Sequence, residues 1–333
     1  MKKLLLALTI LSLIACNNKP KKKTPTEVKG YAQGTTYQIL YLDDRNFQRS
    51  VDSLLIEIDN SLSTYNKRSL ITTFNKSDKG VKTDVFFADV LTMAKEVYKT
   101  TEGAFNPTVA PLVNAWGFGF ENTAKNDSTT IDSLLQYTNF DAIRFQNDSI
   151  IKTQKEVMLD FNAIALGYTV DVLAAFFNEK QVKNYMIEVG GEIITKGKNA
   201  DKKWWRIGID KPLENQQERT LYSIVNLENA ALATSGNYRK FYEKDGIKYS
   251  HTIHPKSGYP VKHSLLSATV ITKKCALADA YATAFMVLGL DKSKALLASN
   301  PELEAVLIYA DENGDLQTFV SPSLASKIEV VNE

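Results

Sequence analysis

Strands and helices are interleaved along this chain without a repeating strand–helix–strand period, and this irregular order most limits the fold it can adopt. Apolar residues that alternate or run together predict short strands, whereas apolar residues spaced by three or four positions predict helices. A doubly wound parallel sheet requires a regular alternation of the two. The sequence therefore predicts an α+β fold, with mixed or antiparallel sheets and packed helices.

The predicted elements are short and spread over the whole chain. Strands are expected where β-branched and aromatic residues are bounded by turn-forming residues, at residues 35–42, 185–189, 205–209, 222–227, 231–234, 265–272, 304–309 and 317–321. Helices are expected from their apolar spacing, at residues 51–62, 85–100, 130–136, 165–179 and 276–288. Asp84 is placed to cap the second of these helices. The rest of the polar stretch 122–155 is predicted to form connections.

The N-terminus carries a targeting signal. Its first residues, MKKLLLALTILSLIAC, combine two lysines with an apolar run that is too short to span a bilayer of about 30 Å. We therefore expect residues 1–15 to be a signal peptide. Leu13-Ile14-Ala15-Cys16 resembles the bacterial lipobox, so Cys16 is expected to be lipidated; a leader with an incidental cysteine is the alternative. This predicts a membrane-anchored lipoprotein of the bacterial cell envelope that faces the periplasm.

Lysines and prolines follow the signal, and apolar residues are scarce there. Residues 16–29 are therefore expected to be a lipidated flexible tether, and residues 30–333 a single folded domain. The chain has 40 basic and 38 acidic side chains, which give a formal net charge of +2, so nucleic acid is not an expected partner. With Cys16 lipidated, Cys275 is the one remaining cysteine of two, and no intramolecular disulfide is expected.

Two segments combine rigid or small residues with polar ones. Residues 105–119 contain two prolines and Trp116-Gly117-Phe118, which indicate either a rigid loop that stacks a planar ring or a tight loop around a buried tryptophan. In residues 160–168, Asp160 is followed by small residues that open a helix, where backbone N–H groups suit a phosphate. The spacing of a dinucleotide fingerprint or a P-loop is absent from the second segment.

Two further segments carry groups able to act as bases or ligands. His251 and His254 are two of the three histidines, but an H-x-x-H pair lacks the third ligand of a zinc site. Asp279 and Thr283 lie at positions i and i+4, on one face of a predicted helix. Their oxygen atoms suit a hard cation such as Mg²⁺. Alternatively, Asp279 caps the start of that helix.

Eight segments in order along the chain carry a family resemblance. They are Gly34-Thr35-Thr36, Ser63-Thr64-Tyr65, and residues 115–119, 160–168, 188–192, 233–236, 250–251 with 255–260, and 278–283. Together they resemble the ApbE family, the FAD:protein FMN transferases, over nearly the whole chain after the tether. The resemblance implies an ApbE-type, T-fold-like body. It also implies that the protein binds FAD with Mg²⁺, transfers FMN to a serine or threonine hydroxyl of a target protein, and releases AMP.

The resemblance also implies roles for individual residues. Mg²⁺ would be bound by the Ala163 main-chain carbonyl, Asp279 and Thr283, and His251 would take the proton of the acceptor hydroxyl or attack phosphorus itself. The residues expected to bind FAD are Gln33, Tyr65, Trp116, Gly117, Phe118, Asp160, Leu166 and Ile253. This chain departs from the common family pattern at four positions, namely Gln33, Leu166, Asn237 and His254. None of these departures removes a predicted metal ligand.

The expected partners are FAD, acceptor flavoprotein subunits of membrane redox complexes such as sodium-pumping quinone reductases, and the membrane through the lipid anchor. Two other functions remain open from the sequence. One is an Mg²⁺-dependent FAD pyrophosphatase that gives FMN and AMP. The other is an FAD-binding lipoprotein without catalysis. Asp279 and Thr283 favour an enzyme, because a protein that only binds flavin has no need for a cation at the pyrophosphate.

Overall fold

The computed structural model describes residues 24–119, 125–212, 220–237, 241–244, 247–250 and 252–331. Its centre is an eight-stranded sheet in which every neighbouring pair of strands is antiparallel. In order across the sheet, the strands are β1 (Thr26–Ala32), β2 (Thr35–Tyr41), β6 (Tyr185–Val189), β7 (Glu192–Lys196), β10 (Ala231–Gly236), β13 (Leu265–Thr272), β14 (Glu304–Ala310) and β15 (Leu316–Val320).

Smaller sheets and a set of helices surround this sheet. The smaller sheets are β3 (Gly80–Lys82), β5 (Ser149–Lys152) and β4 (Ile143–Gln146); β16 (Ile328–Val330), β9 (Leu221–Leu227) and β8 (Trp205–Asp210); and the pair β11 (Phe241–Lys244) and β12 (Ile247–Ser250). The α-helices are α1 (Gln48–Leu62), α2 (Leu70–Lys76), α3 (Val85–Thr100), α4 (Ala110–Ala115), α5 (Ser128–Leu135), α6 (Ala165–Glu179), α7 (Cys275–Leu288) and α8 (Leu290–Ser299). Single 3₁₀ turns lie at Pro107–Val109, Phe140–Ala142 and Pro322–Leu324.

The central sheet is covered on both faces, as the alternation of side chains along a strand requires. In β14, Ala305 and Leu307 pack into the core formed with the helices, whereas Val306 and Ile308 pack against Trp205 and its neighbours on the three-stranded sheet β16-β9-β8. The strands are therefore apolar on both sides. Helices lie on one face only, and this segregation confirms the predicted α+β class.

Most of the predicted elements are present, and their ends follow local signals. Helix α3 begins at Val85, where the Asp84 side chain accepts a hydrogen bond from the Phe87 amide at 2.8 Å. Helix α6 begins at Ala165, as its small residues predict. The predicted strands 185–189 and 265–272 have the same bounds in the structure.

Three predictions need correction. Strand β1 begins at Thr26 and buries Val28, so the folded domain starts inside the segment 16–29 that was predicted to be tether. The polar stretch 122–155 contains the hairpin of β4 and β5 as well as a short helix. The segment 105–119 is a 3₁₀ turn followed by helix α4, not a loop. Within the described residues, no helix is both long and apolar enough to cross a membrane.

Candidate active site

A cleft of about 1010 Å³ opens beside helices α6 and α7. Small-molecule sites range over roughly 300–1,000 Å³, so this cleft has room for a ligand of dinucleotide size. Its walls come from segments far apart in the chain: the β1–β2 turn, the end of α1, the start of α6, the β6–β7 turn, the end of β10 and one face of α7. The α7 residues that line it are Asp279, Thr283, Met286 and Val287, which share one helical face.

The two helices meet at Gly167, in the first turn of α6. A Cβ atom at this position would lie 2.4 Å from the Cys275 carbonyl oxygen, closer than any real Cβ contact. A glycine is therefore required for the backbone of α6 to touch the first turn of α7. Because the first turns of both helices meet here, their unpaired N–H groups lie close together.

Each helix receives its N-terminal cap from the other. The residue before α7, Lys274, offers no capping side chain, and Asp171 of α6 accepts hydrogen bonds from the Cys275 amide at 2.8 Å and the Ala276 amide at 2.9 Å. Burial raises the pKa of Asp171 to about 6, and these two backbone donors oppose that rise. Asp171 is thus a structural carboxylate that satisfies two donors of α7.

Asp279 of α7 accepts a hydrogen bond from α6 in return, but its environment differs from that of Asp171. Its side chain is 6% exposed, and its Oδ2 atom accepts a hydrogen bond from the Gly167 amide at 3.2 Å. Asp279 therefore contacts the first turn of α6 and does not cap its own helix, which answers the alternative that the sequence left open. Burial raises the pKa of this carboxyl above its usual value. The same side chain lines the cleft, so it is accessible to a ligand there.

Thr283 lies one helical turn beyond Asp279 and also lines the cleft. Its Oγ1 atom is 3.2 Å from the Ser235 hydroxyl at the end of β10. Ala163, which precedes α6, lines the cleft as well. The three residues predicted to bind Mg²⁺ are therefore on one cleft, and their carboxylate, hydroxyl and carbonyl oxygens are the donor types that a hard cation prefers.

Six of the eight residues predicted to bind FAD also line this cleft, namely Gln33, Tyr65, Phe118, Asp160, Leu166 and Ile253. Gln33 and Gly34 form the two-residue β1–β2 turn, and both have positive φ, as type I′ hairpin turns require. Burial raises the pKa of Asp160, whose Oδ1 accepts a hydrogen bond from the Asn162 amide at 2.7 Å. Tyr65 is 72% exposed, so its ring is free to move against a ligand.

Trp116 and Gly117 are not among the residues that line the cleft. The Gly117 and Phe118 amides donate to the Asn114 and Val113 carbonyls at 2.9 and 3.0 Å, and Gly117 has a φ of 80°. These bonds form a Schellman motif that ends α4. Trp116 is buried and donates from Nε1 to the Gly258 carbonyl at 2.7 Å. Trp116 therefore fastens the end of α4 to the loop that carries Ile253, and of the three residues Trp116, Gly117 and Phe118, Phe118 is the one that lines the cleft.

Most of this chain matches a known protein family. The profile of the ApbE family matches residues 33–307, which is most of the chain. The chain belongs to the ApbE family. Among relatives, it is 36% identical to the FAD:protein FMN transferase of Vibrio cholerae serotype O1 over 94% of this chain and 96% of the relative. It is 32% identical to the FAD:protein FMN transferase of Escherichia coli K12 over 95% and 94% of the two chains.

Solved ApbE structures are similar to this chain in fold as well as in sequence. The flavin transferase ApbE from Vibrio cholerae superposes with a TM-score of 0.82 and 33% identity, over 91% of this chain and 99% of that one. The apo form of the Pseudomonas stutzeri flavinyl transferase ApbE gives a TM-score of 0.81 and 30% identity, over 91% and 96% of the two chains. Both similarities extend across the whole ApbE domain.

Reasoning from sequence passed over one buried charge of this ApbE domain. Glu192 is the first residue of β7, lines the cleft, and is 9% exposed. Burial and the nearby Asp279 charge raise the pKa of Glu192 well above its usual value. The available signal was an acidic residue directly after Gly190-Gly191, at the start of an otherwise apolar strand. Two predicted residues, His251 and Cys16, lie outside the described residues.

Proposed function

We propose that this protein transfers FMN from FAD to a serine or threonine hydroxyl of a target redox protein and releases AMP, with Mg²⁺ bound in the cleft. One observation carries the proposal: Asp279 and Thr283, one helical turn apart, line a cleft of dinucleotide size in a chain whose residues 33–307 match the ApbE family. The FAD:protein FMN transferases among its relatives supply the reaction.

The residues present fit a divalent cation. Asp279 is buried and has one hydrogen bond among the described residues, from the Gly167 amide, so further lone pairs of its carboxylate are available. Thr283 and the Ala163 carbonyl would complete the protein's share of the ligands. The remaining positions suit water and phosphate oxygens, as is usual for Mg²⁺. A cation bound here supplies Lewis-acid stabilisation of the charge that develops on the pyrophosphate.

The chain itself would bind and orient FAD. Helix α6 has 15 residues, and its N-terminus, the positive end of its dipole, lies at the cleft. This end favours the negative pyrophosphate. The adenosine part would lie near Asp160 and Leu166. Tyr65, Phe118 and Ile253 would contact other parts of FAD. Because Leu166 is apolar and half-buried, it would pack against FAD and would give FAD no charged contact.

The transfer breaks one phosphoanhydride bond and forms one phosphoester bond. The acceptor hydroxyl oxygen bonds to the phosphorus of the FMN half, the bond from that phosphorus to the bridging oxygen breaks, and the electron pair leaves with AMP. The hydroxyl proton passes to His251 as a general base. In the other route that the resemblance leaves open, His251 attacks phosphorus first and AMP leaves. The acceptor hydroxyl then displaces His251 from phosphorus, and its proton passes to the departing imidazole.

The decisive experiment supplies FAD, Mg²⁺ and a candidate acceptor subunit to the purified protein. We expect in-gel flavin fluorescence on the acceptor and AMP in equal amount, both abolished by EDTA and restored by Mg²⁺. AMP release without a labelled acceptor would show an FAD pyrophosphatase instead. Stoichiometric FAD that is neither cleaved nor affected by Mg²⁺ would show a flavin-binding protein without catalysis.

We further propose that lipidated Cys16 anchors the protein in the cell envelope with the domain facing the periplasm, joined by a shortened tether that ends before β1 at Thr26. This location would bring the cleft to acceptor subunits of membrane redox complexes. Membrane fractionation of the full chain and of Cys16→Ser tests it. The proposal requires the variant to leave the membrane fraction.

A further inference from the structure

Glu192 is an ionisable side chain in a buried position, where charged groups are rarely found. It follows the Gly190-Gly191 turn, in which both glycines have positive φ, and begins strand β7. Its side chain is nine-tenths buried, and its Oε2 atom has no hydrogen-bond partner among the described residues. Oε2 lies over Gly190, because a Cβ atom built there would be 3.2 Å from it. The same Cβ would be 3.0 Å from Leu166, another residue that lines the cleft.

The electrostatic surroundings of Glu192 make this burial more unfavourable. The charged residues that act on it within the described structure are Asp279 and Glu188, and both are acidic. A buried carboxylate with an oxygen that accepts no hydrogen bond costs several kcal/mol, and a second carboxylate nearby adds repulsion. Buried charges of this kind are ordinarily paired or bound to a metal ion. Because Glu192 and Asp279 line the same cleft, a single cation there is able to offset both charges.

We infer that Glu192 is a further carboxylate ligand of the divalent cation in this cleft, which it binds together with Asp279. The inference rests on the proposed function for the presence of that cation. Among the described residues, no three histidine, cysteine or acidic side chains cluster as a metal site, so the two carboxylates would work with neutral oxygens. Two carboxylates and neutral oxygens are a ligand set typical of Mg²⁺ and Mn²⁺.

The test measures metal binding directly, in the full chain without FAD. Mn²⁺ binding is followed by the electron paramagnetic resonance signal of the free ion, for the wild type and for Glu192→Gln. Glutamine keeps the size of the side chain and removes its charge. We expect the dissociation constant for Mn²⁺ to rise by about 10-fold or more. We also expect the metal-free variant to melt at a higher temperature than the metal-free wild type, because a buried repulsion is gone.

The matched control is Glu188→Gln. Glu188 lies on the same hairpin but is not among the residues that line the cleft, and its Oε1 atom accepts a hydrogen bond from the Gly191 amide at 2.8 Å, which glutamine is able to preserve. We expect its Mn²⁺ affinity to stay within about twofold of the wild type, since the Glu188 side chain is only half-buried and does not line the cleft. If Glu192→Gln does not fold, Glu192→Asp keeps the charge on a shorter side chain and must still weaken Mn²⁺ binding.

The outcomes separate this inference from the proposed function. Unchanged Mn²⁺ affinity in Glu192→Gln, with a wild type that transfers FMN, overturns the inference and leaves the function intact. Weakened Mn²⁺ binding in Glu192→Gln, with a wild type that neither cleaves FAD nor labels an acceptor, confirms the ligand and overturns the function. Equal losses in Glu192→Gln and Glu188→Gln would show that the charge of the hairpin matters and not a contact to the metal, and would also overturn the inference.

Discussion

Asp171 and Asp279 are two aspartates with reciprocal contacts between α6 and α7. The comparison distinguishes a carboxylate that stabilises the fold from one that faces the cleft. Each lies on one of two crossing helices and accepts hydrogen bonds from the first turn of the other. Asp171 receives two, from the Cys275 and Ala276 amides, whereas Asp279 receives one, from the Gly167 amide. Only Asp279 lines the cleft. Of the two, the buried carboxylate that accepts fewer hydrogen bonds and faces the cleft is the one expected to bind a metal ion.

The strongest test of this comparison is Asp279→Asn. Asparagine keeps an oxygen for the Gly167 amide and removes the charge that would hold the cation. We expect the rate of FMN transfer to fall by at least about 100-fold, because charge stabilisation at the pyrophosphate is lost. Single-turnover labelling of an acceptor measures the rate, and far-UV circular dichroism verifies the fold. A variant that labels its acceptor at the wild-type rate would remove Asp279 from the site.

The second test is Asp171→Ala, which removes both hydrogen bonds to the first turn of α7. We expect the free energy of unfolding to fall by about 2 kcal/mol at pH 7, as for the loss of a helix cap. The rate of FMN transfer per folded molecule should change far less than in Asp279→Asn. Urea unfolding and the same labelling assay provide the two measurements. Equal catalytic losses in the two variants would show that the two carboxylates do not have separate roles.

The smallest expected effect is on the pH dependence of stability. The pKa of Asp171 in the folded protein is about 6, above its unfolded value of about 3.9, so the folded state binds the proton more tightly. The pH-dependent part of the contribution of Asp171 to stability is therefore greatest at low pH and is lost as pH rises through 6, whereas the hydrogen bonds to α7 remain. Between pH 5 and pH 7 this amounts to about 1 kcal/mol. Urea unfolding at both pH values should show a larger difference in the free energy of unfolding between wild type and Asp171→Ala at pH 5. A larger difference at pH 7 would contradict the raised pKa of Asp171.

The elements with local signals were accessible to reasoning from sequence. The Asp84 cap and the apolar spacing of 85–100 are contained in consecutive residues, and the helix has those bounds. The start of α6 at Ala165 follows from the small residues that precede it. The hairpin of β4 and β5 was missed because strand β4 exposes three of its four residues and lacks the alternation that marks a half-buried strand.

The site was predictable only where its residues share one element. Asp279 and Thr283 were found from their helical spacing, because i and i+4 fall on one face whatever the tertiary fold. The exchange of caps between α6 and α7 joins residues 104, 105 and 112 positions apart, and no local pattern marks it. Glu192 escaped attention for the same reason, since no local pattern marks its burial or its closeness to Asp279. Trp116 and Gly117 were expected near FAD from the family resemblance, whereas the residues alone left the role open, because an aromatic residue beside glycine suits stacking and a helix C-cap equally well.

Gly167 has a consequence for how an ion would enter this protein. With no side chain between them, the first turns of α6 and α7 lie in direct backbone contact, so the fold itself brings Ala163 and Asp279 to one cleft. A cation bound there, as proposed, would meet a cradle assembled by the fold and would have little chain to order on binding. Selectivity would then come from the fixed size of that cradle, which would discriminate against ions that require a wider shell of oxygens.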